Sequence, residues 1–97
     1  MKQSIVAVVL DAGTEAGLAT AHSLLADGHR VVVTARQPGA LVRITHGYPA
    51  DLVYAVAADT RDRAQFDQVL ALTRARFGRV DMIVDPKLYR AVLPASA

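Results

Sequence analysis

The chain has 97 residues, of which 53% are hydrophobic and 21% are charged, and it contains no cysteine. This composition is typical of one globular domain that is stabilised by packing, and it excludes disulfides and thiolate metal sites. The formal net charge is only +2, and a cluster of five arginines in one region has aspartates among its members. We interpret them as a solvated helix face and expect no nucleic-acid partner; they are Arg61, Arg63, Arg74, Arg76 and Arg79.

The chain shows no pattern for membrane insertion or export. No apolar segment reaches the roughly 18 residues that a membrane-spanning helix needs. The first residues lead directly into a strand pattern instead of a signal peptide. We therefore expect a cytoplasmic protein with no membrane partner.

The first half of the chain alternates between strand and helix patterns. Residues 5–10 form a continuous apolar run, which is typical of a strand covered on both faces of a parallel sheet. A turn of small residues then leads into a helix that begins at about Glu15 and ends before Gly28. The elements predicted next are a strand at residues 31–33, a short helix at 40–46 and a third strand at 52–57.

The second half repeats this alternation. The helix pattern that follows Asp62 is the strongest in the chain, and Gly78 ends it. Residues 80–84 predict a fourth strand. In the tail we expect one short helical turn around Leu88, Tyr89 and Val92, with Pro94 ending it.

These elements predict an α/β fold of the Rossmann-like, three-layer type. Right-handed crossovers place the four strands in one parallel sheet in the order 3-2-1-4, with helices on both faces. We expect one truncated domain that comprises residues 1–97.

Three stretches of the sequence resemble one known family. The succession VVLDAGTEAGLATA, HRVVVTARQP and VAADTRDRAQFDQVLALTRARFGRVDMIV is similar to the N-terminal half of the short-chain dehydrogenases/reductases. The resemblance covers residues 4 to about 85, and residues 86–97 form a divergent tail. It implies a nucleotide-binding domain that takes NADP(H).

The family's glycine-rich turn, Thr-Gly-x-x-x-Gly-x-Gly, is only partly present. When its last glycine is aligned with Gly17, Asp11 and Glu15 occupy the two earlier glycine positions. Each replacement adds a β-carbon and a negative charge where the family's backbone approaches a pyrophosphate. Such a carboxylate repels a phosphate by on the order of 1–4 kcal/mol.

Two interpretations of this turn stay open. In one, Asp11 and Glu15 act as the helix's own anions at its positive end, and no cofactor binds. In the other, dinucleotide binding is retained. The resemblance then implies that Arg36 meets the 2′-phosphate of NADP and that Asp59 contacts the adenine. The implied cofactor-binding residues are Gly13, Thr14, Gly17, Arg36, Asp59 and Thr60, and the alternative for Arg36 and Asp59 is an ordinary surface or turn role.

The sequence does not predict a catalytic centre. The family uses a serine and a Tyr-x-x-x-Lys pair that lie beyond the fourth strand, and none of Tyr48, Tyr54 and Tyr89 has a lysine four residues later. The family's Asn-Asn-Ala-Gly segment corresponds here to residues 85–88, which do not match it. We expect no catalytic residue and no metal ligand, so that this chain alone is not an active oxidoreductase.

The sequence is also compatible with two further functional classes. As an interaction module, the chain would dimerise or bind a partner protein through the exposed edge of the fourth strand, at residues 80–84, unless Pro86 and the tail fold back over this edge. As a metal or phospho-acceptor site, it would use Asp11, Asp59 and Asp85, which all follow strands. The preferred hypothesis is a degenerate NADP-type domain, and the substrate is open.

Overall fold

Strands and helices alternate along nearly the whole chain. The computed structural model describes residues 4–86 and 90–92. Its elements are β1 (Val6–Val9), α1 (Glu15–Ala26), β2 (Arg30–Ala35), α2 (Gly39–Thr45), β3 (Val53–Ala57), α3 (Arg63–Phe77), β4 (Met82–Asp85) and β5 (Arg90–Val92). The predicted helices and the first four strands are therefore present, with ends that shift by up to a few residues.

The sheet has the order β3-β2-β1-β4-β5. Its first four strands are parallel, and Val8 of β1 pairs with Val32 of β2 on one side and with Ile83 of β4 on the other. This confirms the predicted parallel order 3-2-1-4. All four β1 residues are completely buried, as expected for the central strand of a sheet that is covered on both faces.

Each face of the sheet has its own apolar core. On one face, Val31 and Val33 of β2 pack with Ala21 and Leu25 of α1 and with Ile44 of α2. On the other face, the alternate residues pack against α3; this cluster contains Val8, Val32, Val69, Leu70, Val80 and Ile83. The alternation of valines in β2 between the two cores confirms a three-layer arrangement.

The tail corrects two predictions. Residues 90–92 form β5, an antiparallel strand that pairs with β4 from Ile83 to Asp85. The predicted helical turn is therefore wrong at Val92, while Leu88 and Tyr89 lie outside the described residues. The fourth strand is also not the exposed edge that we expected, because β5 satisfies backbone groups that β4 would otherwise present to a partner.

Two hydrogen bonds fix the carboxyl end of the central strand, where a ligand would lie in this kind of sheet. The amide of Leu10 donates to the carbonyl of Val84 at 2.9 Å, and the amide of Ala12 donates to the carbonyl of Thr34 at 2.7 Å. The turn after β1 is thus attached to both neighbouring strands. Among the described residues, the structure has no helix with the length and apolar character that crossing a bilayer requires.

Candidate functional site

The turn between β1 and α1 begins with a left-handed residue. Asp11 has a φ of 49°, a region that residues with a Cβ seldom adopt and that Asp, Asn and Gly tolerate best. Its carbonyl accepts a hydrogen bond from the amide of Thr14 at 3.2 Å. The aspartate therefore occupies the backbone position for which the family uses a glycine, and it adopts a conformation that glycine would take without strain.

A hydroxyl, not a carboxylate, caps the helix that follows. The Thr14 hydroxyl accepts from the amide of Gly17 at 3.0 Å and donates to the carbonyl of Asp11 at 3.0 Å. Glu15 lies in the first turn of α1, and its side chain is exposed. Thr14 therefore caps the Gly17 amide, and Glu15 lies at the positive end of the helix, where a negative charge is favourable.

Gly17 is required by packing. A Cβ at this position would lie 2.5 Å from the carbonyl oxygen of Asp11 and 2.6 Å from the Cα of Ala12. Both neighbours are backbone atoms, which cannot move away without distorting the turn. The last glycine of the motif therefore allows α1 to pack directly against the turn.

Two turns enclose a cleft of about 370 Å³ at this end of the sheet. One wall comes from the turn after β1, and the other comes from the end of β2 and the start of α2. The cleft is lined by Asp11, Gly13, Thr14, Ala35, Arg36, Gln37 and Ala40. It combines small residues, which leave room for a ligand, with one cationic and one anionic side chain.

Asp59 lies beside this cleft, at the end of the neighbouring strand. Ala35 pairs with Ala57, and the amide of Ala58 donates to the carbonyl of Ala35 at 2.9 Å. Asp59 is therefore next to the segment that carries Arg36 into the cleft. Its carboxylate forms an ion pair with Arg61 in which Nε and Oδ1 are 3.1 Å apart.

Electrostatic interactions connect these turns. Hydrogen bonds from Arg61 hold the pKa of Asp59 below its ordinary value, and the positive charge of Arg36 acts in the same direction. The Asp59 carboxylate in turn raises the pKa of Arg61, with a smaller contribution from Asp11. Two acids and two arginines thus act on one another at the ends of three adjacent strands.

The structure brings together some of the predicted residues and separates others. Gly13, Thr14 and Arg36 line one cleft, whereas Gly17 is buried behind the turn. Thr60 follows Asp59 and is not among the residues that line the cleft. The prediction that these residues bind a cofactor remains a prediction.

Sequence reasoning missed several residues of this region. Gln37 and Ala40 line the cleft, yet no motif marks them. The prediction that Arg61 belongs to a helix face is wrong, because α3 begins only at Arg63. The spacing Asp59-x-Arg61 was the available signal, because an aspartate often accepts a hydrogen bond from the amide two residues later.

The acidic side chains of the described residues do not converge on a metal site. Within residues 4–86 and 90–92, no three His, Cys, Asp or Glu side chains converge so as to hold a metal ion. Asp11, Asp59 and Asp85 therefore do not form the metal site that we considered. A second cleft, of about 310 Å³, is lined by Arg30, Asp51, Arg76 and Phe77, at the opposite end of the sheet.

Comparison with known proteins gives a consistent result. The sequence profile described as short chain dehydrogenase matches residues 5–86. Among curated proteins, the chain is 33% identical over 69 residues to Oxidoreductase BOA17 of Botryotinia fuckeliana. That match covers 71% of this chain and 25% of the relative.

Solved structures resemble the fold closely. A short-chain dehydrogenase from Streptomyces avermitilis is 34% identical, with a TM-score of 0.76 over 84% of this chain and 30% of that protein. The 3-ketoacyl-(acyl-carrier-protein) reductase from Brucella melitensis, in complex with NADH, is 27% identical with a TM-score of 0.76. It is matched over 84% of this chain and 33% of its own. The chain thus spans about a quarter to a third of these relatives.

Proposed function

Because the chain belongs to the short-chain dehydrogenase family, we propose that it binds NADP(H) through the cleft between the turns that follow β1 and β2. The matched residues have the sequence and fold of the family's nucleotide-binding domain. The Brucella relative was obtained with NADH, which supports a nicotinamide dinucleotide as the ligand class. The preference for NADP(H) rests on this chain's own residues.

The proposal rests on one observation, which is that Arg36 lines the same cleft as Gly13 and Thr14. A guanidinium presents several N–H donors in a planar fork that matches a phosphate. Gly13 leaves its side of the cleft open, and Thr14 marks the start of a helix, whose positive end favours an anion. The 2′-phosphate of NADP would meet Arg36, and no other cationic side chain lines this cleft in the part of the chain that the structure describes.

The pyrophosphate end of the ligand fits less well. Asp11 lines the cleft, and Glu15 lies in the first turn of α1. Each carboxylate opposes a nearby phosphate by on the order of 1–4 kcal/mol. The proposed domain is therefore a weak binder that gains its affinity at the 2′-phosphate. A bound NADP(H) would supply hydride transfer to or from a substrate. No catalytic residue is proposed among the described residues.

The experiment is a calorimetric titration of the full chain with NADPH and with NADH, each to millimolar concentration. We expect NADPH to bind more tightly, and we expect Arg36→Gln to remove most of that difference. Arg63→Gln is the matched control, because Arg63 is 89% exposed, pairs with Asp67 in α3 and carries the same charge. Absence of binding by both dinucleotides would reject the proposal and leave the cofactor-free interpretation of the turn.

A partner or second copy at the fourth-strand edge is not favoured as a second function. That role needs free backbone groups along β4, and β5 pairs with this strand from Ile83 to Asp85. A partner would first have to displace β5.

A further inference from the structure

β3 is the longer of the two strands that end the sheet. It has five residues, Val53–Ala57, whereas β5 at the other end has three, and very short edge strands are poor templates for pairing. β3 pairs with β2 on one side, and within residues 4–86 and 90–92 no strand lies on its other side. The outer side of β3 is therefore an open edge.

The hydrogen bonds to β2 show which backbone groups of β3 face this edge. The amide of Val31 donates to the carbonyl of Leu52 at 2.7 Å, and the amide of Ala58 donates to the carbonyl of Ala35 at 2.9 Å. In a parallel ladder, a residue turns its amide and its carbonyl to the same neighbouring strand, and this direction alternates along the chain. The even-numbered residues of this segment thus face β2. The amides and carbonyls that face the open edge belong to Val53, Ala55 and Ala57.

The side chains along this edge do not protect it. Natural edge strands are commonly blunted by charged side chains or by proline. Residues 52–58 contain neither. Ala55 and Ala57 are small and exposed, so they leave the neighbouring backbone accessible. An uncharged and accessible edge of this kind is suited to pairing with a further strand.

We propose that β3 pairs antiparallel with β3 of a second copy of the chain, across a two-fold axis at Ala55, so that the two sheets become continuous. This centre is the one that matches all three outward-facing residues with each other. Ala55 lies opposite Ala55 of the second copy, and Val53 lies opposite Ala57. Each of these pairs exchanges both of its backbone hydrogen bonds, and the same edge serves both copies, as a two-fold interface requires.

The charges at the two ends of β3 suit this arrangement. With the axis at Ala55, Asp51 of one copy lies opposite Asp59 of the second. Each acid brings an arginine with it: Asp59 pairs with Arg61, with Oδ1 and Nε 3.1 Å apart, and Asp51 lines one cleft with Arg76. Each end of the interface therefore joins an acid and an arginine of one copy to an acid and an arginine of the other, and the charges balance.

The association is measured by sedimentation equilibrium of the full chain from micromolar to millimolar concentration. The contact between two five-residue strands is small, so we expect a weak dimer with a dissociation constant on the order of 10–100 μM. Ala55→Lys places two like charges opposite each other at the axis and should weaken association by about tenfold or more. Ala19→Lys is the matched control, because Ala19 is also exposed but lies on α1. It should leave the association unchanged.

Ala55→Pro tests the backbone hydrogen bonds directly. The amide of Ala55 faces the open edge, so proline removes a donor that the dimer uses and leaves the ladder to β2 intact. We expect association to weaken by about tenfold or more while the circular dichroism spectrum stays the same. If this variant does not fold, Ala55→Lys, at the same exposed position, decides the question.

The register is measured by NMR on a mixture of isotope-labelled and unlabelled chains. Tyr54 and Val56 turn their amides toward β2, so their α-protons face the open edge. In the proposed pairing, the α-proton of Tyr54 lies against that of Val56 of the second copy. We expect a nuclear Overhauser effect between these two protons across the interface.

Three results would overturn the proposal. A chain that stays monomeric at millimolar concentration has no such dimer, and the edge is then left to a different protein. A dimer that neither Ala55→Lys nor Ala55→Pro weakens has its interface elsewhere. A dimer without the Tyr54–Val56 contact is not paired in this register. None of these measurements involves a nucleotide, so the proposed function stands or fails separately.

Discussion

The carboxylate of Asp81 binds the backbone of Val6, 75 residues earlier in the chain. Its Oδ2 accepts from the Val6 amide at 2.9 Å, and the amide of Asp81 donates to the Val6 carbonyl at 2.9 Å. Arg79 donates through Nε to Oδ1 at 2.8 Å. This contact fastens the start of the central strand to the segment that leads into β4.

We expect Asp81→Asn to destabilise the fold by about 1–2 kcal/mol, since a hydrogen bond and an ion pair to a charged acceptor are weakened in a partly buried place. Chemical denaturation monitored by circular dichroism measures this change. Asp67→Asn is the control, because Asp67 pairs with Arg63 on the exposed surface of α3 and such pairs contribute little. Equal losses in the two variants would contradict a specific role for Asp81.

The same contact predicts a pH dependence. Burial raises the pKa of Asp81, but hydrogen bonds from Val6 and Arg79 and the charges of Arg79 and Arg30 outweigh it and hold the pKa below its ordinary value. A lowered pKa in the folded state means that the contribution is complete above the unfolded-state pKa and is lost as pH falls through the folded-state pKa. Stability should therefore fall less steeply with acid in Asp81→Asn than in the unmodified chain, as denaturation at a series of pH values would show.

Gly17→Ala is expected to destabilise the domain by about 1–3 kcal/mol, because overpacking against backbone forces the helix and turn apart. The matched control is Gly39→Ala at the start of α2, where an added Cβ has no neighbour within 4 Å. That control should be neutral or slightly stabilising, since Ala is the better helix former. Thermal unfolding of both variants measures this difference. Equal unfolding midpoints would show that a Cβ at position 17 does not clash with the backbone of the turn.

Asp11→Gly should stabilise the fold by about 0.5–1 kcal/mol, because glycine adopts the left-handed conformation without strain. It should also strengthen NADPH binding, since one carboxylate leaves the cleft. Asp11→Ala removes the same charge but keeps a Cβ, so it separates the two effects: binding should improve while stability drops. A loss of stability in Asp11→Gly would mean that the contacts of the carboxylate outweigh the strain.

Glu15→Gln should raise the affinity for NADPH if the negative charge at the start of α1 is what opposes binding. The expected gain is on the order of 1–4 kcal/mol, which is the repulsion between a carboxylate and a neighbouring phosphate. Glu15→Gly removes the side chain as well as the charge. If only the glycine variant improves binding, steric exclusion is the cause. Calorimetry on the two variants distinguishes these cases, with Glu15→Asp as the variant that keeps the charge.

Most of the architecture was predictable from the sequence, for local reasons. Apolar runs and helical periodicity identify elements because each residue's burial repeats with the geometry of its own strand or helix. Gly78 is an example of such a local signal. A glycine after a helix predicts a left-handed cap, and Gly78 has a φ of 86°. The parallel order of the first four strands follows from the right-handed crossovers that these elements permit.

The candidate site was predictable only as a set of positions. The resemblance pointed to Gly13, Thr14 and Arg36, and the fold placed them around one cleft. The cleft itself is formed by turns that follow different strands, and no local pattern encodes how these turns meet.

The sequence by itself determined the strands, the helices and their parallel order, because these depend on periodicity and on residues that end elements. Only the tertiary structure decided that Asp11 is left-handed, that Gly17 packs against its carbonyl and that β5 covers β4. Each of these depends on how close two backbone segments come once the sheet and its helices have packed.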